Sequence, residues 1–113
     1  MKVLVTGSNG LIGRWIIERL ATEGHETIGV DRTENVSGGT FFPCDILDGA
    51  QLGDVFARTR PEGVVHLAAR IDLEETKNLA GYAANIDGVR NVVHAVRNCG
   101  SVRRAVYASS QLV

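Results

Sequence analysis

The residues of this chain whose types and spacing could do chemistry are the glycines Gly7, Gly10 and Gly13, the acid Asp31, and the adjacent hydroxyls of Ser109 and Ser110. The run Thr6-Gly7-Ser8-Asn9-Gly10-Leu11-Ile12-Gly13 follows the apolar stretch Val3-Leu4-Val5. A strand delivering Gly7 into a tight turn, Gly10 letting backbone approach an anion, and Gly13 letting the next helix lie close to the sheet together read as a dinucleotide-binding turn. Glycines at this spacing also occur by chance in turns; the placement between a strand and a helix favours the anion reading. Asp31 comes 24 positions after Gly7, close to the spacing at which a carboxylate receives the adenosine ribose hydroxyls. A phosphate on that ribose would face the carboxylate, so NAD is favoured over NADP, with an ordinary strand-end or turn acid as the competing reading. Arg32 could compensate such a phosphate, but reads rather as a solvated side chain or a wall against adenine. Arg14, near the expected pyrophosphate, reads as solvent-facing. Ser109 and Ser110 follow the last expected strand, where a hydroxyl could polarise a substrate oxygen or cap the strand end.

These groups need a scaffold, and the hydrophobic pattern supplies an alternating one. Val-, Ile- and Phe-rich runs predict strands over 2–6, 26–30, 40–43, 63–67 and 103–108, suited to a sheet covered on both faces. Helices are expected over 11–23, 48–60 and 82–98, stopped near Gly24, Pro61 and Gly100. The expected buried faces are Ile12, Ile16 and Leu20 on the first, Leu52, Val55 and Phe56 on the second, and Ile86, Val89, Val93 and Val96 on the third. Right-handed crossovers then give an α/β, Rossmann-like, doubly wound parallel sheet, with the ligand crevice at the carboxyl ends of the strands.

With 44% hydrophobic and 22% charged residues, the 113-residue chain has the balance of one soluble domain with a modest core. Twelve Lys and Arg against 13 Asp and Glu leave a formal charge of -1, so nothing steers the chain toward nucleic acid or an anionic membrane. The first residues resemble neither a signal peptide nor a membrane span, and a cytoplasmic location is the default expectation. Cys44 and Cys99 are far apart and lack metal-ligand spacing, so they are expected as free thiols in or beside the core, with no metal site. His66 alternates with Leu67 along a strand and reads as a structural histidine rather than a base. His94 and Tyr82 likewise read as structural.

The chain resembles the amino-terminal part of the NAD-dependent epimerase/dehydratase family, the extended branch of the short-chain dehydrogenases/reductases. The resemblance rests on the glycine run, Asp31-Arg32, Cys44-Asp45-Ile46-Leu47-Asp48, His66-Leu67-Ala68-Ala69, Asn85-Ile86-Asp87-Gly88 and Val106-Tyr107-Ala108-Ser109-Ser110, in that order. It implies an NAD site built from Gly7, Asn9, Gly10, Leu11, Ile12, Gly13, Asp31 and Arg32. It further implies Asp45 as an adenine-contacting acid with Ile46 packed on the ring. Leu67, Ala68 and Ala69 would let the pyrophosphate and nicotinamide ribose approach, Asn85 would stand near that ribose, and Gly88 would let neighbouring groups approach. A turn acid with a core Ile, small residues packing for their own sake, and an Asn satisfied within its helix are the competing readings of these positions. Ser110 matches the Ser/Thr that hydrogen-bonds the reacting substrate oxygen.

The resemblance also implies a Tyr-x-x-x-Lys base, and neither Tyr82 nor Tyr107 has a Lys four positions on. Residues 1–113 are therefore expected to be a partial dinucleotide-binding domain, incomplete at the carboxyl-terminal side, with later strands and a substrate domain absent, and without turnover of its own. The parent enzyme is expected to act on a small molecule such as a nucleotide sugar, by transient hydride transfer, as a homodimer. The other expectations are an NAD-dependent dehydrogenase or reductase of a small carbonyl or alcohol, or a nucleotide-responsive binding protein without turnover. The segment 70–80 lacks the Ser and Pro common in the family loop, so the substrate is not readable from it. An exposed strand edge is expected to make the isolated 113 residues self-associate.

Overall fold

A computed structural model describes residues 1–34, 39–68 and 79–108, without the side chains of 79–84. The elements follow in the order β1 (Lys2–Thr6), α1 (Leu11–Thr22), β2 (Glu26–Asp31), β3 (Thr40–Pro43), α2 (Gly49–Thr59), β4 (Gly63–His66), α3 (Leu79–Asn98) and β5 (Arg104–Tyr107). All strands are parallel in one five-stranded sheet of order β3-β2-β1-β4-β5. β1 lies at the centre, and Val3 through Thr6 are buried, as an apolar run covered on both faces requires. The expected Rossmann-like parallel sheet is what forms.

Alternation along the strands divides the core in two. Leu4, Ile28, Val30 and Val64 face one way and pack with Leu52, Val55 and Phe56 of α2 and Val92 and Ala95 of α3. Val3 and Val5 face the other way, against Ile17 of α1, with Ile16, Leu20, Val65 and Leu67 at the margin. The helices on opposite faces are the doubly wound arrangement. Their ends follow local chemistry. Gly24 at φ +88 turns the chain out of α1, its N–H bonded to Ala21 O at 3.1 Å. Asp48 caps α2 by accepting the Gln51 N–H at 3.0 Å, and Arg60, left-handed before Pro61, ends it.

Two expected helix faces are corrected. On α1 the buried positions are Gly13 and Ile17, while Ile12 is 64% exposed. The helix is rotated because Gly13 must lie against the glycine turn, and that contact swings Ile12 outward. On α3, Val92 and Ala95 are buried, as is Cys99 just past its end, whereas Ile86 and Val89 are exposed and Val93 and Val96 only half-buried. Here close packing on α2 and the loop before it selects the side carrying Gly88, Asn91 and Ala95 over the more apolar stripe. Cys44 and Cys99 are buried free thiols in the same cluster. Burial, then the Asp48 and Asp45 carboxylates, push the Cys44 thiol up to about 11, so it stays protonated and unreactive at neutral pH.

Candidate dinucleotide site

The strands end at a cleft of about 470 Å³ above β1, β2 and β4. Its floor is the glycine turn, and close approaches explain Gly7 and Gly13. Gly7 has φ +71, and a Cβ there would stand 2.9 Å from the Ala68 nitrogen. Gly10 N–H closes the turn on Gly7 O at 3.1 Å. A Cβ on Gly13 would run into Gly7 O and stand 2.9 Å from Ser8 Cα. The turn is tied to β2 by the Gly7 N–H bond to Val30 O at 2.8 Å. The first intrahelical bond of α1 is Arg14 N–H to Gly10 O, so the amino terminus of the helix, with its positive dipole end, opens into the cleft beside Leu11 and Ile12. Arg14 is exposed and does not line the cleft.

Asp31 stands on the cleft wall with both carboxylate oxygens engaged: Oδ2 accepts the Asn9 N–H at 2.9 Å and Oδ1 the Arg32 N–H at 2.7 Å. Each oxygen retains a second lone pair for a hydroxyl. Arg32 is exposed on the same wall. The side chain of Asn9 turns to Thr33 and Glu34 and is not among the groups facing the cleft. Asp45 and Ile46 line the opposite side; Asp45 Oδ1 accepts the Leu47 N–H at 3.0 Å, so this acid closes a local turn while it faces the cleft. Leu67, Ala68 and half-buried Asn85 stand on the wall as well. Ala69, Ser109 and Ser110, and the segment 70–78, lie outside the described residues, as does the side chain of Tyr82.

The geometry therefore fits a dinucleotide at the level of backbone: a turn that a Cβ on Gly7 or Gly13 would disrupt, a helix amino terminus, and a carboxylate at the end of β2. The chain matches the NAD dependent epimerase/dehydratase family over residues 3–113. It belongs to that family. Among relatives, it is 34% identical to the UDP-glucose 4-epimerase of Mycolicibacterium smegmatis, over 97% of this chain and 39% of that protein. It is 31% identical to a 3-beta-hydroxysteroid dehydrogenase of Mycolicibacterium neoaurum, over 99% of this chain and 32% of that protein. Among solved structures, UDP-glucose 4-epimerase of Brucella ovis in complex with NAD superposes with a TM-score of 0.89 at 28% identity, over 97% of this chain and 36% of that one. The chain thus spans between 32% and 39% of the length of these three relatives.

In this epimerase/dehydratase family member, some contributors to the site escaped the sequence reading. Val30, Leu47 and Ala108 also line the cleft. Gly88, expected to let neighbouring groups approach, does leave room for Ile46, whose Cδ1 would be 2.6 Å from an added Cβ, while the unforeseen Asn91 donates from Nδ2 to Ile46 O at 2.8 Å. Gly88 and Asn91 of α3 thus hold both the side chain and the main chain of the expected adenine wall. A polar residue on the small-residue side of α3 was the available signal. Thr6 was missed as well. Its Oγ1 accepts the N–H of Leu67 at 3.0 Å and of Ala68 at 3.1 Å, which leaves its one proton for His66 Nδ1 at 2.7 Å. His66 is then neutral, with its proton on Nε2, and is structural as expected: it is buried and stacked edge-on to Tyr107 at 6.0 Å between ring centroids.

Burial holds His66 below the ordinary histidine range. The unfolded chain therefore takes up a proton near pH ~6.5 that the folded chain resists, so the contribution of His66 to stability is full above that pH and is lost as pH falls toward the folded value. Urea unfolding of wild-type protein and His66→Gln between pH 5 and 7.5 should show the wild type losing stability more steeply on acidification. Equal slopes would contradict the assignment.

Ser8 gives a second expectation. It is fully buried against Gly29, and its Oγ has no hydrogen-bond partner among the described residues. Ser8→Ala removes an unsatisfied hydroxyl and should stabilise by about 1 kcal/mol. A loss of stability on urea unfolding would show that the hydroxyl is satisfied in solution.

Among the described residues, no three His, Cys, Asp or Glu side chains are grouped to hold a metal, and no helix is long and apolar enough to cross a membrane.

Proposed function

We propose that the chain is the NAD-binding part of an enzyme that oxidises and re-reduces a nucleotide sugar, as an epimerase or dehydratase, and that the parent protein works as a homodimer. The observation that carries this reading is the glycine cradle opening beside Asp31, in a chain of this family. The chemistry supplied by bound NAD is reversible hydride acceptance. In this reading the amides of the turn from Gly7 to Gly13, including those of Leu11 and Ile12, hold the pyrophosphate. Asp31 accepts the adenosine ribose hydroxyls, with Arg32 beside it. Asp45 accepts from the adenine amino group while Ile46 packs on the ring. Leu67, Ala68 and Ala69 are small or apolar enough for close approach, and Asn85 orients the nicotinamide ribose. Ser110 hydrogen-bonds the reacting substrate oxygen and stabilises its developing charge.

Calorimetric titration of the full-length gene product with NAD and NADP tests the cofactor, and NAD should bind the tighter. Incubation with nucleotide sugars then tests the reaction. An epimerase or dehydratase returns the hydride and leaves no NADH at completion. The 31% identity to a steroid dehydrogenase favours a second reading, in which net oxidation of an alcohol leaves NADH in proportion to product. Absence of NAD binding overturns both.

A further inference from the structure

We propose that Asn9 is a specificity-determining residue: it latches the segment after β2 onto the glycine turn and so closes the space that a phosphate on the adenosine ribose would need. This rests on the dinucleotide reading of the cleft and goes beyond it, because it assigns Asn9 to selecting between cofactors and not to touching either.

The observation is that one residue makes bonds in two directions. The main-chain N–H of Asn9 donates to Asp31 Oδ2 at 2.9 Å, which orients the carboxylate. Its side-chain Nδ2 donates to Thr33 Oγ1 at 2.8 Å and to Glu34 O at 2.6 Å. The two protons of a carboxamide are thereby both used on a segment 24 and 25 positions away in sequence. Arg32 sits between these anchors, and its own N–H is turned onto Asp31 Oδ1. The segment beside Asp31 is therefore held at both ends. A ribose with two hydroxyls needs only the remaining lone pairs of Asp31. A ribose bearing a phosphate needs volume beside that carboxylate, on the wall that Arg32 already shares, and making that volume requires the latched segment to move. With the latch removed, the segment can swing out and the exposed Arg32 guanidinium can meet the phosphate as a bidentate partner. The latch thus acts on one ligand more than the other, which ordinary loop stabilisation does not.

The test is calorimetric titration of the full-length protein with ADP-ribose and with its 2′-phosphorylated form, which isolates the adenosine end from the nicotinamide. Asn9→Ala should lower the preference for the unphosphorylated ligand about fivefold, the factor that a hydrogen bond of ordinary net worth supplies. Thr33→Val, at an exposed position, should lower it by less, because the Glu34 carbonyl bond survives. Thr33→Ser, which keeps the hydroxyl, should retain the wild-type preference. Adding Thr33→Val to Asn9→Ala should change nothing more, since both remove the same contact. A purely structural role for Asn9 would weaken both ligands by the same factor, and that result, or an unchanged preference in both Asn9→Ala and Thr33→Val, overturns the proposal. Wild-type protein that binds neither ligand overturns the dinucleotide reading itself, and the latch's role with it.

Discussion

Gly13→Ala should abolish dinucleotide binding and lower stability by about 2 kcal/mol, although alanine is the better helix former. In an unconstrained helix interior the exchange would stabilise by roughly 1 kcal/mol. Here the added methyl would meet Gly7 and Ser8 main chain, at 2.9 Å from Gly7 C and from Ser8 Cα. Backbone cannot rotate away as a flexible side chain can. Gly7 is pinned from behind by Val30 O and on its other side by Ala68. Overpacking of this kind costs about 1–3 kcal/mol and occasionally more, enough to exceed the gain in propensity. Relief must come from α1 lifting off the turn, which displaces the amides that the proposed function assigns to the pyrophosphate. Gly53→Ala in α2 is the matched control, because nothing lies within 4 Å of its added Cβ. It should stabilise by about 1 kcal/mol and leave binding alone. Urea unfolding and calorimetry on both variants settle the matter; NAD binding within twofold of wild type in Gly13→Ala would mean the cradle is not where the pyrophosphate sits.

Asp31→Ala should weaken NAD by about 10- to 100-fold, the loss of one or two charge-assisted hydrogen bonds, and narrow the margin over NADP. Part of the loss arises inside the protein. The carboxylate also accepts the N–H groups of Asn9 and Arg32, and truncation leaves both without it. Asp31→Asn separates the contributions, since the amide oxygen can still accept while the charge that repels a phosphate is gone. It should recover part of the NAD affinity and gain most for NADP. Calorimetry with both cofactors reads each effect, and wild-type protein that takes NADP as tightly as NAD would overturn the role of Asp31.

What the sequence made legible was order and kind of element. The strand ends fell within one residue of their expected places, because parallel strands buried on both faces are written as short apolar runs between glycines, acids and prolines. The glycine turn and Asp31 were legible for a related reason: the backbone geometry they need admits few residue types. The turning of the helices was not. Ile86, Val89 and Val93 form the more apolar stripe of α3, yet Gly88, Val92 and Ala95 face inward, and at Gly88 Ile46 comes too close for a larger side chain. Periodicity shows that a stripe exists, while contact distance decides which stripe is buried. Asn91 and Thr6 were hidden for the same cause, since their partners are main-chain atoms far along the chain, on Ile46 and on Leu67 and Ala68.

The central place of β1 bears on how the chain comes to fold. Of the five strands β1 is made before the others, and it is flanked on one side by β2, in the register Lys2↔Glu26, and on the other by β4, in the register Thr6↔His66. During synthesis β1 and β2 can form a two-stranded ribbon early, but the second edge of β1 stays open until residue 66 has emerged. Over that interval the row Val3, Leu4 and Val5 offers unpaired amides to any other nascent strand. Folding of this domain is thus governed by non-local closure, and slow translation between β3 and β4 would lengthen the period in which a chaperone is most needed.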